Sequence, residues 1–98
     1  MTPTLTVIYW RDIPAQVTAE GNGTSARAQL SDRFQLAIDA AAMKAGLVDS
    51  GEYLEEWRRE TRPCGDDLEA EVAAEAERVE AEYSRDVLLA LTRAGGRP

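Results

Sequence analysis

Between Ile13 and Leu30 apolar and polar residues alternate on both sides of Gly21-Asn22-Gly23-Thr24. Alternation with a period of two fits a half-buried strand, and Gly and Asn accept the positive φ that a tight turn demands. Ile13, Ala15, Val17 and Ala19 therefore form one face of a strand whose other face is Pro14, Gln16, Thr18 and Glu20. Ala26, Ala28 and Leu30 mark the returning strand. Upstream, Thr4 to Trp10 is rich in β-branched and aromatic residues, with Leu5, Val7 and Tyr9 on one side and Thr6, Ile8 and Trp10 on the other. Apolar residues on both sides predict a strand covered on both faces near Ile8 and Trp10. Three strands in so short a span make an antiparallel meander the simplest arrangement.

The period then changes. Ser31 is a candidate N-cap, and Phe34, Ile38, Ala41, Ala42 and Ala45 recur at helical spacing until Gly46. Asp49 with Glu52 reads as a capping box that opens a short helix carrying Tyr53, Leu54 and Trp57 and closing at Pro63. Asp66 with Glu69 repeats the signature ahead of Leu68, Val72, Ala76, Val79 and Tyr83, and Ser84 caps a last segment through Val87, Leu88 and Leu91. The expected fold is α+β, a three-stranded antiparallel meander followed by three to four helices packed on the sheet. At 98 residues the chain has room for one domain over 1–98, with frayed ends near 1–3 and 95–98.

Composition removes several function classes. There is no histidine and one cysteine, Cys64, so imidazole acid/base chemistry, Cys-His pairs, most zinc sites and an internal disulfide are out of reach. The sequence calls for no metal, no cofactor and no catalytic residue, and leans away from an enzyme. The net charge of −7 resides entirely between Asp66 and Ser84, where eight acids face one base, Arg78. Such a surface repels phosphate backbones, which argues against nucleic acid as a partner. No apolar run is long enough to span a bilayer, and the N-terminus lacks a signal-like basic and apolar pair of regions, so the expected location is the cytoplasm.

Each candidate site has a bland alternative. Glu71, Glu75 and Glu82 fall near one helix face, but without a calcium-loop pattern they read as solvated charge. Trp57, Arg58, Arg59 and Arg62 in WRRETR could hold a carboxylate or phosphate by bidentate contacts; as the last turn of a helix they would instead complement its dipole and pair with Glu55, Glu56 and Glu60. Cys64 has no base beside it and two aspartates after it, so an inert thiol is expected. Gly21-Asn22-Gly23 lacks phosphate-loop spacing and is assigned to a turn. In IYWRDIPAQV, Pro14 cannot donate to a central ladder, so this piece belongs at a strand start or an edge. Trp10, beside Arg11 and Asp12, is either core or an interface anchor, and the sequence favours core.

Read together, Tyr9-Trp10-Arg11-Asp12-Ile13-Pro14-Ala15-Gln16-Val17, Arg33-Phe34, Ala37-Ile38-Asp39 and Trp57-Arg58, in this order from Leu5 to Leu91, resemble the bacterial "virulence factor" domain family. The family name comes from larger staphylococcal proteins in which a related domain sits between an iron-sulfur-scaffold-like domain and helical repeats; neither flanking domain is in this chain. The resemblance transfers no catalytic residue. It implies a non-enzymatic accessory or protein-interaction module whose partner, from the gene neighbourhood of family members, is a methylenetetrahydrofolate reductase or a corrinoid methyltransferase. The alternative is a small-ligand-binding or catalytic subunit in which a Trp/Arg pocket takes an anionic ligand such as a folate. Both readings draw on Trp10, Arg11, Asp12, Trp57, Arg58, Arg59 and Arg62.

Overall fold

The computed structural model describes residues 2–47 and 51–97. Strands β1 (Thr4–Trp10), β2 (Ile13–Gly21) and β3 (Thr24–Gln29) form the expected meander, followed by helices α1 (Asp32–Lys44) and α2 (Gly51–Glu55). Strand β4 (Trp57–Pro63) comes next, then helices α3 (Leu68–Glu82) and α4 (Arg85–Arg93). All strand pairs are antiparallel, in the order β3-β2-β1-β4. The fold is α+β, with one strand more than the sequence suggested.

That fourth strand corrects the reading of Trp57 to Pro63 as the tail of a helix. Arg and Glu favour helix in isolation, and Tyr53, Leu54 and Trp57 mimic helical spacing. The helix they would build has no face to bury: α2 has only five residues, none buried, and Leu54 is exposed. The free edge of β1 supplies what that helix lacks. Pairing runs unbroken from Trp10 opposite Trp57 to Thr4 opposite Pro63, and backbone hydrogen bonding overrides local propensity. Cys64 continues the ladder by donating its N–H to the Pro3 carbonyl at 3.0 Å. Asp49, half of the suggested capping box, lies outside the described residues.

The turn from β2 to β3 has Asn22 and Gly23 both at positive φ, as the Asn-Gly pair predicts. Pro14 is accommodated by a bulge: Ile8 faces Gln16, Tyr9 faces Pro14, and Ala15 is left over. β3 pairs with β2 only as far as Gln16, so on that side of β2 no strand calls on the N–H that Pro14 lacks. Beyond the bulge, Trp10 and Ile13 stand opposite each other, both with 0% exposure.

Helix α3 lies over β2 and β3 and buries Leu68, Val72 and Val79. Ala19, Ala26 and Ala28 are short enough to admit it closely. Its N-cap is Asp67, whose carboxylate accepts the Ala70 N–H at 3.1 Å, one residue after the expected Asp66. Ser31 begins α1 without capping it through its own side chain. Instead Glu80 of α3 accepts the Ser31 N–H at 2.7 Å and its hydroxyl at 2.9 Å, and Arg33 joins the same carboxylate. Helix α1 ends at Gly46 and α4 at Gly95, each at positive φ, and in both the following N–H reaches five residues back, Leu47 to Ala42 and Gly96 to Leu91. Gly95 and Gly96, where the sequence suggests fraying, are buried: Gly96 accepts the Asp12 N–H at 2.9 Å.

The acidic helix is not a uniformly solvated face. Glu75 is 6% exposed and is held by Arg78 from the same helix and by Arg62 from β4. Hydrogen bonds from Arg78, opposed by burial and reinforced by Arg62, hold its carboxyl below the usual range. The clamp ties α3 to the edge strand. Because the folded-state pKa lies below the unfolded one, this stabilisation is complete above the unfolded value and fades as pH falls through the folded value. Glu75→Gln should therefore cost about 1–2 kcal/mol at neutral pH and progressively less as pH falls below the ordinary glutamate range. Urea midpoints across that range check it: wild type and variant should converge on acidification, and parallel curves would show that Glu75 is not the group responsible.

Candidate functional site

The β1–β2 corner is built on one conformational exception. Arg11 has φ 53, a left-handed value that favours glycine. An L-residue there costs about 1–2 kcal/mol, so something must hold it. Its N–H donates to the Glu56 carbonyl at 3.1 Å, and its own carbonyl accepts the Arg58 Nε–H at 2.9 Å. Its guanidinium donates to the Gly95 carbonyl at 2.9 Å and lies 5.2 Å from the centre of the Trp10 ring. Arg11 Nε is buried 3.2 Å from Glu56 Oε2, a charge pair without the alignment of a hydrogen bond. With a side chain only 13% exposed, Arg11 is a structural tie among the β1–β2 turn, the entry to β4 and the end of α4.

Trp10 is core, as the sequence favours. Its indole Nε1–H donates to the Tyr53 carbonyl at 2.9 Å, and Tyr53 stands between Trp10 and Trp57, with ring centres 5.6 and 6.2 Å away. Asp12 pairs with Arg58 at 3.3 Å rather than with its neighbour Arg11. Arg58 also pairs with Glu60 and lies 4.4 Å above the Tyr9 ring. Burial works against its charge, but Glu60 and Asp12 more than offset this and raise its pKa.

The seven candidate residues do not share one pocket. Trp10, Arg11, Asp12, Trp57 and Arg58 gather around the corner, most of them occupied by protein partners. Strand alternation sends Arg58 and Arg62 to the side of Leu5, Val7 and Tyr9, and Arg59 to the opposite side, level with Ile8. Arg62 is spent on Glu75. Two arginines adjacent in sequence thus serve different faces, because a strand separates what a helical turn would have kept nearer together.

Those two faces differ. On the Leu5–Tyr9 side α3 covers the sheet, leaving a cleft of about 480 Å³ at the β4 margin bordered by Tyr9, Arg58 and Tyr83. Burial, followed by the charge of Tyr83 and Glu60, pushes the Tyr9 phenol up to about 12, and burial likewise raises Tyr83. On the other side a shallow concavity of about 540 Å³ is lined entirely by strand residues, among them Thr4, Thr6, Ile8, Gln16, Thr18, Arg27 and Arg59. Ile8 is only half-buried there, so cover on both faces of β1 holds at Trp10 and not at Ile8. The guanidiniums of Arg27 and Arg59 make no hydrogen bond or ion pair among the described residues. Sequence reading passed over Arg27, whose sole signal was its polar place in the β3 alternation. Tyr9, by its sequence position, belongs only to the Leu5–Val7 side of β1.

The corner invites a direct test of strain. Arg11→Ala loses the side-chain contacts and keeps the unfavourable φ, whereas Arg11→Gly loses the contacts and relieves the backbone. Chemical denaturation should find the alanine variant about 1 kcal/mol less stable than the glycine variant. A glycine variant equal to or weaker than alanine would place no strain at this residue.

No helix among the described residues is long and apolar enough to cross a membrane, and no group of His, Cys, Asp and Glu there is arranged to hold a metal ion. No curated protein and no solved structure matches the chain. A family model described as "Virulence factor" matches residues 8–92, from the middle of β1 through nearly all of α4. The match takes in the Arg11 corner, β4 and the Glu75 clamp, and by it this chain belongs to the virulence factor family.

Proposed function

We propose that the chain is a protein-interaction module that docks an acidic partner on the strand-lined concavity around Ile8. The observation carrying this reading is the pair of partnerless guanidiniums, Arg27 and Arg59, on a concavity lined only by strand residues. Ile8 lies between them among Thr6, Thr18 and Gln16, a small apolar centre in a polar surround. Interfaces favour such an arrangement, with arginine prominent and lysine absent. Glu20 is the one acid bordering the concavity, so carboxylates from a partner meet net positive charge on this face even though the whole chain carries −7. Complementarity of that kind sets orientation and encounter rate.

This reading keeps the accessory role implied by the family resemblance, and the first enzymes to test as partners are methylenetetrahydrofolate reductase and the corrinoid methyltransferases. The folate-pocket alternative draws less support, because Trp10 and Arg11 are committed to the fold and Arg58 and Arg59 face opposite ways. Arg27 and Arg59 are exposed, so Arg27→Glu/Arg59→Glu should leave the circular dichroism spectrum and melting temperature nearly unchanged. As bait in extracts of the native host at low salt, wild type should retain a stoichiometric enzyme partner that the double variant loses. Equal retention by both baits, or no stable partner for either, would overturn the proposal.

A further inference from the structure

The outer face of α1 carries an inference independent of the docking concavity. We propose that it is a self-association surface: a second copy of this chain lays its own α1 alongside, parallel and in register, with Leu36, Ala40 and Met43 as the seam.

A helix packed on a core ordinarily keeps its opposite face polar. Helix α1 buries Phe34, Ala37, Ile38, Ala41 and Ala42, and helical spacing sends Leu36, Ala40 and Met43 out from the far side. Leu36 is 66% exposed and Met43 70%, and Ala40 between them is exposed as well. Single exposed apolar residues are ordinary. These three are not scattered: steps of four and then three residues align them in the d-a-d spacing of a two-helix seam. Ala40 at the centre admits a second helix at about 8 Å, the close end of helix packing. Leu89 of α4, 48% exposed, lies one turn before Thr92, whose hydroxyl donates to the Ala37 carbonyl at 3.5 Å. It therefore adds apolar surface on the side of α4 that meets α1.

Charge selects the occupant. Asp39 and Lys44 flank the seam on opposite sides, at its g and e positions. Five residues apart on one helix, they do not face each other, and neither makes an ion pair among the described residues. The Gln35 side-chain amide steadies Asp39 by donating to Oδ1 at 3.0 Å. In a parallel pair each g residue faces the e residue of the next heptad on the other helix. Asp39 of one copy then meets Lys44 of the other, twice by symmetry. An antiparallel pair would set g against g, so Asp32 and Asp39 of the two copies would repel. Lys44 also suits the negative end of the helix dipole, but that does not require an acid across the stripe from it. A second copy of this helix supplies the apolar stripe and both opposite charges at matching height.

With about two turns in contact, the interface is smaller than a tight complex needs, so a rapid monomer–dimer equilibrium is expected. Sedimentation equilibrium from about 10 μM to about 1 mM should show the mass rising toward that of a dimer. Leu36→Gln/Met43→Gln should stay monomeric throughout, with an unchanged circular dichroism spectrum because both side chains are exposed. Asp39→Lys and Lys44→Glu should each weaken association about fivefold, and the exchange Asp39→Lys/Lys44→Glu should restore it. Orientation has its own readout. Lys44 is the only lysine, so the intermolecular amide it forms under carbodiimide coupling should map to Asp39. A wild type still monomeric at the highest concentration, a dimer that survives Leu36→Gln/Met43→Gln, an exchange that restores nothing, or a Lys44 cross-link to a different acid would overturn the proposal.

Discussion

Everything around the β1–β2 corner depends on Arg11 adopting a backbone conformation that its side chain then makes worthwhile. The left-handed φ lets two residues turn β1 into β2. It also aims the guanidinium at the Gly95 carbonyl and Glu56, so the strain of the turn and the attachment of two later segments are one event. Glycine would make the turn easily and attach nothing. Trp10 completes the arrangement from inside, its indole N–H on Tyr53 and its ring against Gly96, where even a methyl group would come within 2.8 Å of the indole. The close approach requires glycine there for the opposite reason: space rather than reach.

A second theme is the division of charge between the layers. Of the acids between Asp66 and Ser84, Asp67 caps a helix, Glu71 accepts the Gly65 N–H, Glu75 and Glu82 hold Arg78, and Glu80 anchors the start of α1. Burial opposes the ionised form of Glu80, yet the Ser31 N–H and hydroxyl, with Arg33, keep its pKa low. An acidic run that looks like solubilising surface is largely partnered: Glu75 and Glu80 join α3 to β4 and α1, and Asp67, Glu71 and Glu82 are satisfied within α3 and the residues leading into it. Asp66, Glu69 and Glu77 remain free of partners among the described residues. The basic side chains that stay free on the sheet lie on its far face, so the layer of helices and the strand-lined concavity differ in sign as well as in shape.

The alternation around Asn22-Gly23 made the meander legible, and the helical spacing of Phe34, Ile38 and Ala41 did the same for α1. These are local signals read in local terms. Trp57 to Pro63 was not legible, because nothing in WRRETRP announces a strand; β1, some fifty residues earlier, offers the edge that makes it one. The same limit applies to function. Arg58 and Arg59 look like one cluster in sequence, and only the strand assignment separates them. Arg27 becomes noticeable once its neighbours are known to leave it unpaired. Tyr9 fits the apolar side of β1, and the stacking of Arg58 on its ring is invisible until the surrounding side chains are in place.

The link between Asp12 and Gly96 has a kinetic meaning. It closes a loop of more than eighty residues, as does the neighbouring contact of Arg11 with Gly95, so neither can form until the intervening strands and helices have brought the two regions together. The first corner in the sequence is consequently among the last to be secured. A nascent hairpin of β1 and β2 would carry an unrelieved left-handed arginine and an uncovered tryptophan, and remain reversible until α4 arrives. The Asp12 amide thus reports on completion of the whole fold, although it lies only two residues beyond the end of the first strand.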